Sequence, residues 1–539
     1  MKGRIFLWGP MGAGKSAVGR ALATQLCRPF VDVDAAIETA SGRTIADLFA
    51  SIGERAFRVL ERDRIEAMLA APGDEIVALG GGALLDPVTR LAVLRAGLVV
   101  TLTAPAEELV ARIGDPSTRP LLGAEGASPT EALSRLLRAR AQAYAACHLI
   151  VDTSGQSVES VTGRLCSALE AGVVPVTISS DVAYALRRAD SYAARATADA
   201  IRPLGASRVA IVTDDNVARL HLDRFVADLA TEGVTVSAAI PLAHGEDRKT
   251  LSAIEIVLAE LAKAECDRHS VVIGLGGGVV TDMAGLAASL FMRGVRWVAV
   301  PTTVLGMVDA AIGGKTGVNL PQAKNAVGSF HHPAAVIIDT AFSETESSRA
   351  VMSGLAEVVK VAAVRDAAFF HALETDRHEL RERDDKALGR AVDGAIRLKA
   401  GVVSEDPSER GVRAVLNFGH TLGHALEAAS TYGTFAHGEA VAIGMVAAAR
   451  AGSELGLSQP EVAPRLVSLL TSLGLPVEVP TAILDAALEL LRHDKKRRGD
   501  NVTLVLPDVL GSALLRPVSV ELCAAAYRRT VGGSPSVGR

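Results

Sequence analysis

Arg413-Ala-Val-Leu-Asn417-Phe-Gly-His420-Thr-Leu-Gly-His424 brings two imidazoles, an amide and a guanidinium into one short run. At about 1.5 Å of rise per residue, His420 and His424 share one face of a helix, roughly 6 Å apart. Arg413 and Asn417 extend that face backwards by similar steps. A third imidazole follows in His437-Gly-Glu439, and Glu357-Val-Val-Lys360 sets an acid and an amine on one helical face upstream. Neutral imidazoles with a carboxylate are the ligands a catalytic zinc ion takes, leaving one coordination position open. His420-Thr-Leu-Gly-His424 lacks the glutamate that follows the first histidine in metalloproteases, so that chemistry is excluded.

A second chemical run stands at the other end of the chain. Ile5-Phe-Leu-Trp8 reads as a short strand leading into Gly9-Pro-Met-Gly12-Ala13-Gly14-Lys15-Ser16-Ala17, the G-x-x-x-x-G-K-S phosphate-binding loop in its strand–loop–helix context. Amides of such a turn, at the positive end of a helix, surround phosphates. Lys15 reaches the outer phosphates and the Ser16 hydroxyl suits Mg²⁺, which implies ATP. Phe30-Val-Asp32-Val-Asp34 reads as a strand ending in two acids on one face. One suits the metal through water and the other a substrate hydroxyl. Arg58 lies on the next helix, Gly80-Gly81-Gly82 is a bare turn after a strand, Arg119 sits in a lid-like stretch, and Arg140 lies four residues before Tyr144. Together these arginines suit a small anionic substrate, because guanidinium forks grip carboxylate.

Between the two runs lies an alternation of strands and helices. Arg208–Thr213 ends at Asp214, where a nucleotide ribose or base would be read, and Glu246 and Lys249 stand one turn apart. Val271–Gly276 runs into Gly277-Gly278, with Asp282 on the following helix. Trp297–Pro301 ends at Thr302-Thr303. Carboxyl ends of strands in open α/β sheets are where ligands sit. Asp309, Lys315, Lys324 and Asn325 crowd a glycine-rich, otherwise apolar stretch, with Arg293 before them and Lys399 after, and this density points to a site. The groups suit oxidation of an alcohol on an anionic substrate, with a metal on the oxygen and a nicotinamide taking the hydride.

The whole chain fits this reading. Its 539 residues exceed one ordinary core. A net charge of −5 and 4% aromatic residues leave no footprint for nucleic acid. Five scattered cysteines without C-x-x-C read as thiols of a reducing compartment. No long apolar run suits a membrane, and the expected location is cytoplasmic. The fold class is α/β throughout the first two units. A P-loop unit spans 1–170 and a linker 171–175. An α/β nucleotide-binding unit spans 176–340, a mainly helical metal-binding unit 341–527, and a disordered tail 528–539. Val158, Val161, Leu165 and Leu169 recur at helical spacing to close the first unit. His148, His269, His331, His332 and His493 read as structural.

Residues 1 to about 170 resemble shikimate kinase, through the P-loop, Asp32-Val-Asp34, Arg58, Gly80–Gly82, Arg119-Pro and Arg140. The resemblance implies that Asp34, Arg58, Gly81 and Arg140 hold shikimate and that Asp34 orients or deprotonates the attacking hydroxyl. Lys15 and Arg119 then stabilise the transferring phosphate, with Mg²⁺ on Ser16 and Asp32 helping through water. From about 175 to 525 the chain closely resembles 3-dehydroquinate synthase. The shared marks include Gly276-Gly-Gly-Val-Val-Thr-Asp282, Met292-Arg293-Gly-Val, Ile312-Gly-Gly-Lys315-Thr, Glu357-Val-Val-Lys360, Asn417-Phe-Gly-His420 and His437-Gly-Glu439. That resemblance implies Zn²⁺ or Co²⁺ on Glu357, His420 and His437. NAD would lie on Asp214, Glu246, Lys249, Gly277, Gly278, Asp282, Thr302, Thr303, Lys315 and Lys324. The substrate, 3-deoxy-arabino-heptulosonate 7-phosphate, would meet Arg293, Asp309, Lys315, Asn325, Lys360, Lys399, Arg413, Asn417, His424 and Lys495 or Lys496. His424 thereby becomes a substrate or proton-transfer residue, Lys315 and Lys360 join it in catalysis, and a homodimer through this part is implied. The competing reading is a P-loop kinase fused to an NAD-dependent metal alcohol dehydrogenase, which needs no such set of cations.

Overall fold

Strand β1 (Arg4–Trp8) divides its side chains between two cores, Ile5 and Leu7 in one, Phe6 and Trp8 in the other, as a period of two requires. The computed structural model describes residues 3–114, 128–321, 323–430, 434–493 and 501–533. With β2 (Phe30–Asp32), β3 (Ile76–Ala78), β4 (Gly97–Thr103) and β5 (Leu149–Asp152), β1 forms a parallel sheet in the order β2-β3-β1-β4-β5. The Val158–Ala171 helix, capped by the Ser157 side chain accepting from the Ser160 amide, packs beside the Lys15–Gln25 helix.

Only Gly172 separates that helix from β6 (Val173–Thr177), so Val173, Val174 and Pro175 are strand where a linker was expected. β6 pairs antiparallel with β7 (Ala183–Arg188), and this hairpin has two masters. Val173 and Ala185 join a core of the N-terminal unit, whereas Val176, Tyr184 and Leu186 join the large C-terminal core. The Val99 amide donates to His148 Nδ1 (3.0 Å), which leaves the proton on Nε2 to donate to Thr177 Oγ1 (3.0 Å). Thr177 Oγ1 donates in turn to the Leu94 carbonyl (3.0 Å), and the Thr177 amide donates to Ser404 Oγ (3.0 Å). Arg90, buried at the same seam, donates to the Ser180 carbonyl (2.6 Å) and pairs with Asp181.

The second sheet adds β8 (Val209–Asp214), β9 (Ala238–Leu242), β10 (Val271–Gly276), β11 (Arg296–Pro301) and, after the β12 (Lys315–Leu320)/β13 (Ala323–Phe330) hairpin, β14 (Ala335–Ile338). Its order is β6-β7-β14-β11-β10-β8-β9, parallel from β7 onward. The run Val271-Val-Ile is buried on both faces, which is why it reads as continuously apolar rather than alternating.

Helices then dominate, among them Ser348–Arg365, Asp385–Glu405, His420–Ala429 and His437–Glu454. The last two pack closely because Gly444 carries no Cβ; one built there would run into the Gly419 carbonyl. An antiparallel pair, Asn501–Leu506 with Leu514–Ser519, interrupts the helices. The disordered tail expected from 528 does not start there. Arg528 and Arg529 belong to the Val520–Val531 helix, held by ion pairs to Asp485 (2.9 Å) and Glu454 (2.7 Å). Among the described residues no helix is long and apolar enough to cross a membrane.

Candidate active sites

In the first unit Gly14 enters the Lys15–Gln25 helix with φ +87° and supplies no side-chain cap, leaving the amides of the first turn open. Gly12, Lys15, Ser16 and Ala17 line a cleft of about 280 Å³, and Ala13 is buried behind it. Lys15 Nζ donates to the Pro10 carbonyl (2.9 Å), and Ser16 Oγ donates to Asp32 Oδ2 (2.6 Å). The two acids do not share a strand face as the sequence suggested. Asp32 ends β2 and caps the Val33–Ser41 helix, and Asp34 lies in that helix's first turn. Both still line the cleft, facing Arg58, Gly81 and Arg140. Arg58 pairs with Glu61 (2.7 Å) and Glu54 (3.1 Å). Burial pushes the Glu61 carboxyl up, against the pull of Arg58. The glycine turn serves these side chains as much as a ligand: a Cβ on Gly82 would strike the Arg58 guanidinium, and one on Gly80 would strike Glu61. Tyr144 donates its hydroxyl to the Gly81 carbonyl (2.9 Å). Arg119 lies outside the described residues.

In the second sheet β8, β10 and β11 are adjacent and parallel, so Asp214, Gly277 and Thr302 fall along one carboxyl edge. Asp214 spends one oxygen on capping, accepting from the Val217 amide (2.8 Å). Gly277 begins the Gly278–Leu290 helix without a side-chain cap. A Cβ on Gly277 would meet Thr303 Cγ2 at 3.3 Å, and one on Gly278 would meet Ala310 Cβ at 3.0 Å. An uncapped helix start in a cradle of this width fits the pyrophosphate of a dinucleotide. Beside it, buried Lys249 pairs with Asp282 and donates to Asn325 Oδ1 (2.6 Å). Burial pushes Asp282 up to about 6 despite that lysine. Asn319 donates to Glu246 Oε1 (2.8 Å), and Lys324 lies 3.9 Å from the same acid.

The helical unit supplies a set of side chains that could hold a metal ion. Glu357 Oε1 lies 3.3 Å from His437 Nε2 and 3.7 Å from His420 Nε2, and these three side chains offer ligand atoms within 4.8 Å of one another. His420 Nδ1 donates to the Phe418 carbonyl (3.2 Å), so its Nε2 turns a lone pair towards the carboxylate. Burial, then Lys360, pushes His420 down to about 3, keeping it neutral. Both Glu357 oxygens are buried; Oε2 meets the Lys360 ammonium, and Oε1 is left without a hydrogen-bond donor. Burial opposes its charge, yet Lys360, in direct ion pair with it, leads the groups that hold it down at about 2. Lone pairs and a carboxylate facing one point fit a divalent cation. Burial opposes the charge of His437, but the neighbouring carboxylates of Glu357 and Glu427 raise it to about 9.

Cations surround that point. Lys399 pairs with Asp309, and Lys360 lies 3.9 Å from the same carboxylate. Burial works against Asp309, but Lys399 and then Lys360 hold it below its ordinary value. Lys315 pairs with Glu409, which accepts from Asn417 Nδ2 (3.1 Å). Arg413 is buried, donating to the Pro407 carbonyl (2.9 Å). It does not share a helix with His420, because Val412–Asn417 is a 3-10 turn and Gly419, at φ +80°, separates it from the His420–Ala429 helix. Arg293 stands apart, exposed at φ +67° after the Gly278–Leu290 helix, and among the described residues no ion pair ties it to the site. Lys495 and Lys496 lie outside the described residues. Three acids escaped the sequence reading. Glu427 and Glu61 were legible in principle, each three residues along a helix from a singled-out side chain (His424, Arg58). Glu409 lies in a loop with no periodic signal.

With this geometry in place, comparison with known proteins is decisive. Residues 239–353 match the N-terminal and 354–497 the C-terminal region of 3-dehydroquinate synthase, and 11–170 match shikimate kinase. The chain is 47% identical over 313 residues to the 3-dehydroquinate synthase of Halorhodospira halophila, covering 58% of this chain and 87% of that one. It belongs to the 3-dehydroquinate synthase family, with a shikimate-kinase unit ahead of the synthase. The synthase of Geobacter sp. (strain M21) is 43% identical over 303 residues, 56% of this chain and 83% of that one. Two solved structures are similar to the synthase part. The 2-epi-5-epi-valiolone synthase of Streptomyces hygroscopicus subsp. jinggangensis, with NAD⁺ and Zn²⁺ bound, is 32% identical over 64% of this chain and 96% of that one, with a TM-score of 0.59. A 2-deoxy-scyllo-inosose synthase complexed with carbaglucose-6-phosphate, NAD⁺ and Co²⁺ is 25% identical over 67% of this chain and all of that one, with a TM-score of 0.58.

Proposed function

We propose that the chain catalyses two reactions: ATP-dependent 3-phosphorylation of shikimate, and conversion of 3-deoxy-arabino-heptulosonate 7-phosphate to 3-dehydroquinate and phosphate. The observation that carries the second is the convergence of Glu357, His420 and His437 beside buried Lys360 and Lys399. Zn²⁺ or Co²⁺ would be held by those three ligands, and NAD by Asp214, Gly277, Gly278, Lys249, Thr302 and Thr303. When bound, the ion would supply a Lewis acid that lowers the pKa of the substrate alcohol, and the nicotinamide would supply a hydride acceptor and donor.

The protein's own groups do the rest. Lys360, Lys399 and Arg413 balance the substrate's carboxylate and phosphate, and Asp309 keeps both lysines charged and aimed. A ketone on the ring acidifies the neighbouring C–H; that proton leaves, and phosphate is expelled with the C–O bonding electrons. We assign that proton transfer to His424, which is exposed and lies beside Glu427 and His437. In the kinase, Arg58 and Arg140 hold the shikimate carboxylate and Asp34 takes the proton of the attacking hydroxyl. Lys15 sits at the transferring phosphate, and Mg²⁺ would lie on Ser16 with Asp32 behind it. Exposed Leu290, Met292 and Phe330 favour a homodimer through the synthase part, and the enzyme is assigned to the cytoplasm.

The buried cations favour the synthase over a simple alcohol dehydrogenase, which would not need them. The deciding assay measures phosphate release from 3-deoxy-arabino-heptulosonate 7-phosphate with and without NAD and chelator. Release that needs both NAD and metal, without accumulation of NADH, is expected; net NADH formation would establish the dehydrogenase instead.

A further inference from the structure

Both candidate ligand imidazoles have their far nitrogen engaged, but by different partners. His420 Nδ1 donates to a backbone carbonyl. His437 Nδ1 donates to Glu427 Oε1 (3.2 Å) while its Nε2 faces Glu357 (3.3 Å). Glu427 is itself gripped from the other unit, since Lys324 Nζ donates to the same Oε1 (3.2 Å). Its second oxygen, Oε2, is buried with no hydrogen-bond partner. Lys324 belongs to β13, whereas Glu427 sits on the His420–Ala429 helix, two turns after His420. A relay thus runs from the nucleotide-side hairpin through Glu427 to His437 and ends at Glu357.

We infer that Glu427 is a positioning residue: it fixes the proton on His437 Nδ1 and so presents the Nε2 lone pair to the metal, with Lys324 holding the carboxylate in place. The inference rests on the metal centre proposed above. A backbone carbonyl orients an imidazole, but a carboxylate also makes it a stronger donor. Without Glu427 the ring is free to turn or to carry its proton on the wrong nitrogen. Among the described residues a rival grouping exists, because His424, Glu427 and His437 also offer ligand atoms within 4.8 Å of one another. The two arrangements differ in whether Glu427 touches the ion.

The test uses the full chain stripped of metal, reloaded with Co²⁺ without NAD, with affinity read by chelator competition and geometry by the visible spectrum. The thermal transition of the synthase part, measured on the same preparation, reports that each variant is folded. Glu427→Ala is expected to weaken Co²⁺ binding by about 10- to 100-fold and shift the visible bands. Glu427→Gln, which can still accept from Nδ1, is expected to fall between Glu427→Ala and wild type. Wild-type affinity with an unchanged spectrum in Glu427→Ala would overturn the inference. So would abolished binding in Glu427→Gln with binding retained in His420→Ala, which would put the ion on His424, Glu427 and His437. A wild-type chain that binds no Co²⁺ would remove the metal centre itself, a failure distinct from either.

Discussion

Glu357 and His437 bring Oε1 and Nε2 to 3.3 Å although separate helices carry them, Ser348–Arg365 and His437–Glu454. The packing of those helices therefore decides whether the synthase has a metal site. Glu357→Gln and His437→Ala should each weaken Zn²⁺ or Co²⁺ binding by more than about 100-fold, beyond what loss of a supporting partner costs. Phosphate release should fall with it and shikimate phosphorylation should persist. Chelator competition and the two activity assays on one preparation check this.

The same packing depends on Gly444. A Cβ there meets the Gly419 carbonyl, which is backbone and has little room to yield. Gly444→Ala should cost about 1–3 kcal/mol of stability. It should lower the thermal transition of the synthase part and its metal affinity together. An unchanged melting profile would show that the two helices separate more easily than this contact implies.

In the kinase unit Arg58 is fixed by Glu61 and Glu54 with its fork towards the cleft. Lysine cannot reproduce a bidentate grip. Arg58→Lys should raise KM for shikimate by about 10- to 100-fold, the worth of one charge-assisted hydrogen bond, while KM for ATP stays near its original value. Steady-state kinetics with each substrate varied separates the two.

His148 makes the seam between the enzymes sensitive to acid. Burial pushes it down to about 3, below its unfolded value of about 6.5. Its contribution is therefore complete above pH 6.5 and is lost as pH falls from there towards 3, by about 1.4 kcal/mol for each pH unit. His148→Gln should flatten this acid branch of the stability curve, at the cost of a lower plateau near neutrality. Thermal midpoints measured from pH 7 to pH 4 check the slope. Equal slopes for variant and wild type would place the acid sensitivity elsewhere.

Much of this enzyme was legible from residue types and local spacing. The phosphate loop at Gly9–Ser16, the helical pairing of Glu357 with Lys360, and the strand ends at Asp214, Gly276 and Pro301 are short-range patterns. Backbone geometry carries such patterns directly into structure. Spacing also misled where a turn broke the helix: Gly419 takes a left-handed conformation, and this removes Arg413 and Asn417 from the face of His420. Residue spacing alone did not choose between His424 and His437 as the partner of Glu357; that choice came from the family resemblance. Only the tertiary structure brought Lys324 onto Glu427 and sandwiched β6 and β7 between two cores. Those contacts depend on how helices and sheets distant in sequence bury their apolar faces against one another, a balance of packing that no single stretch of the chain contains.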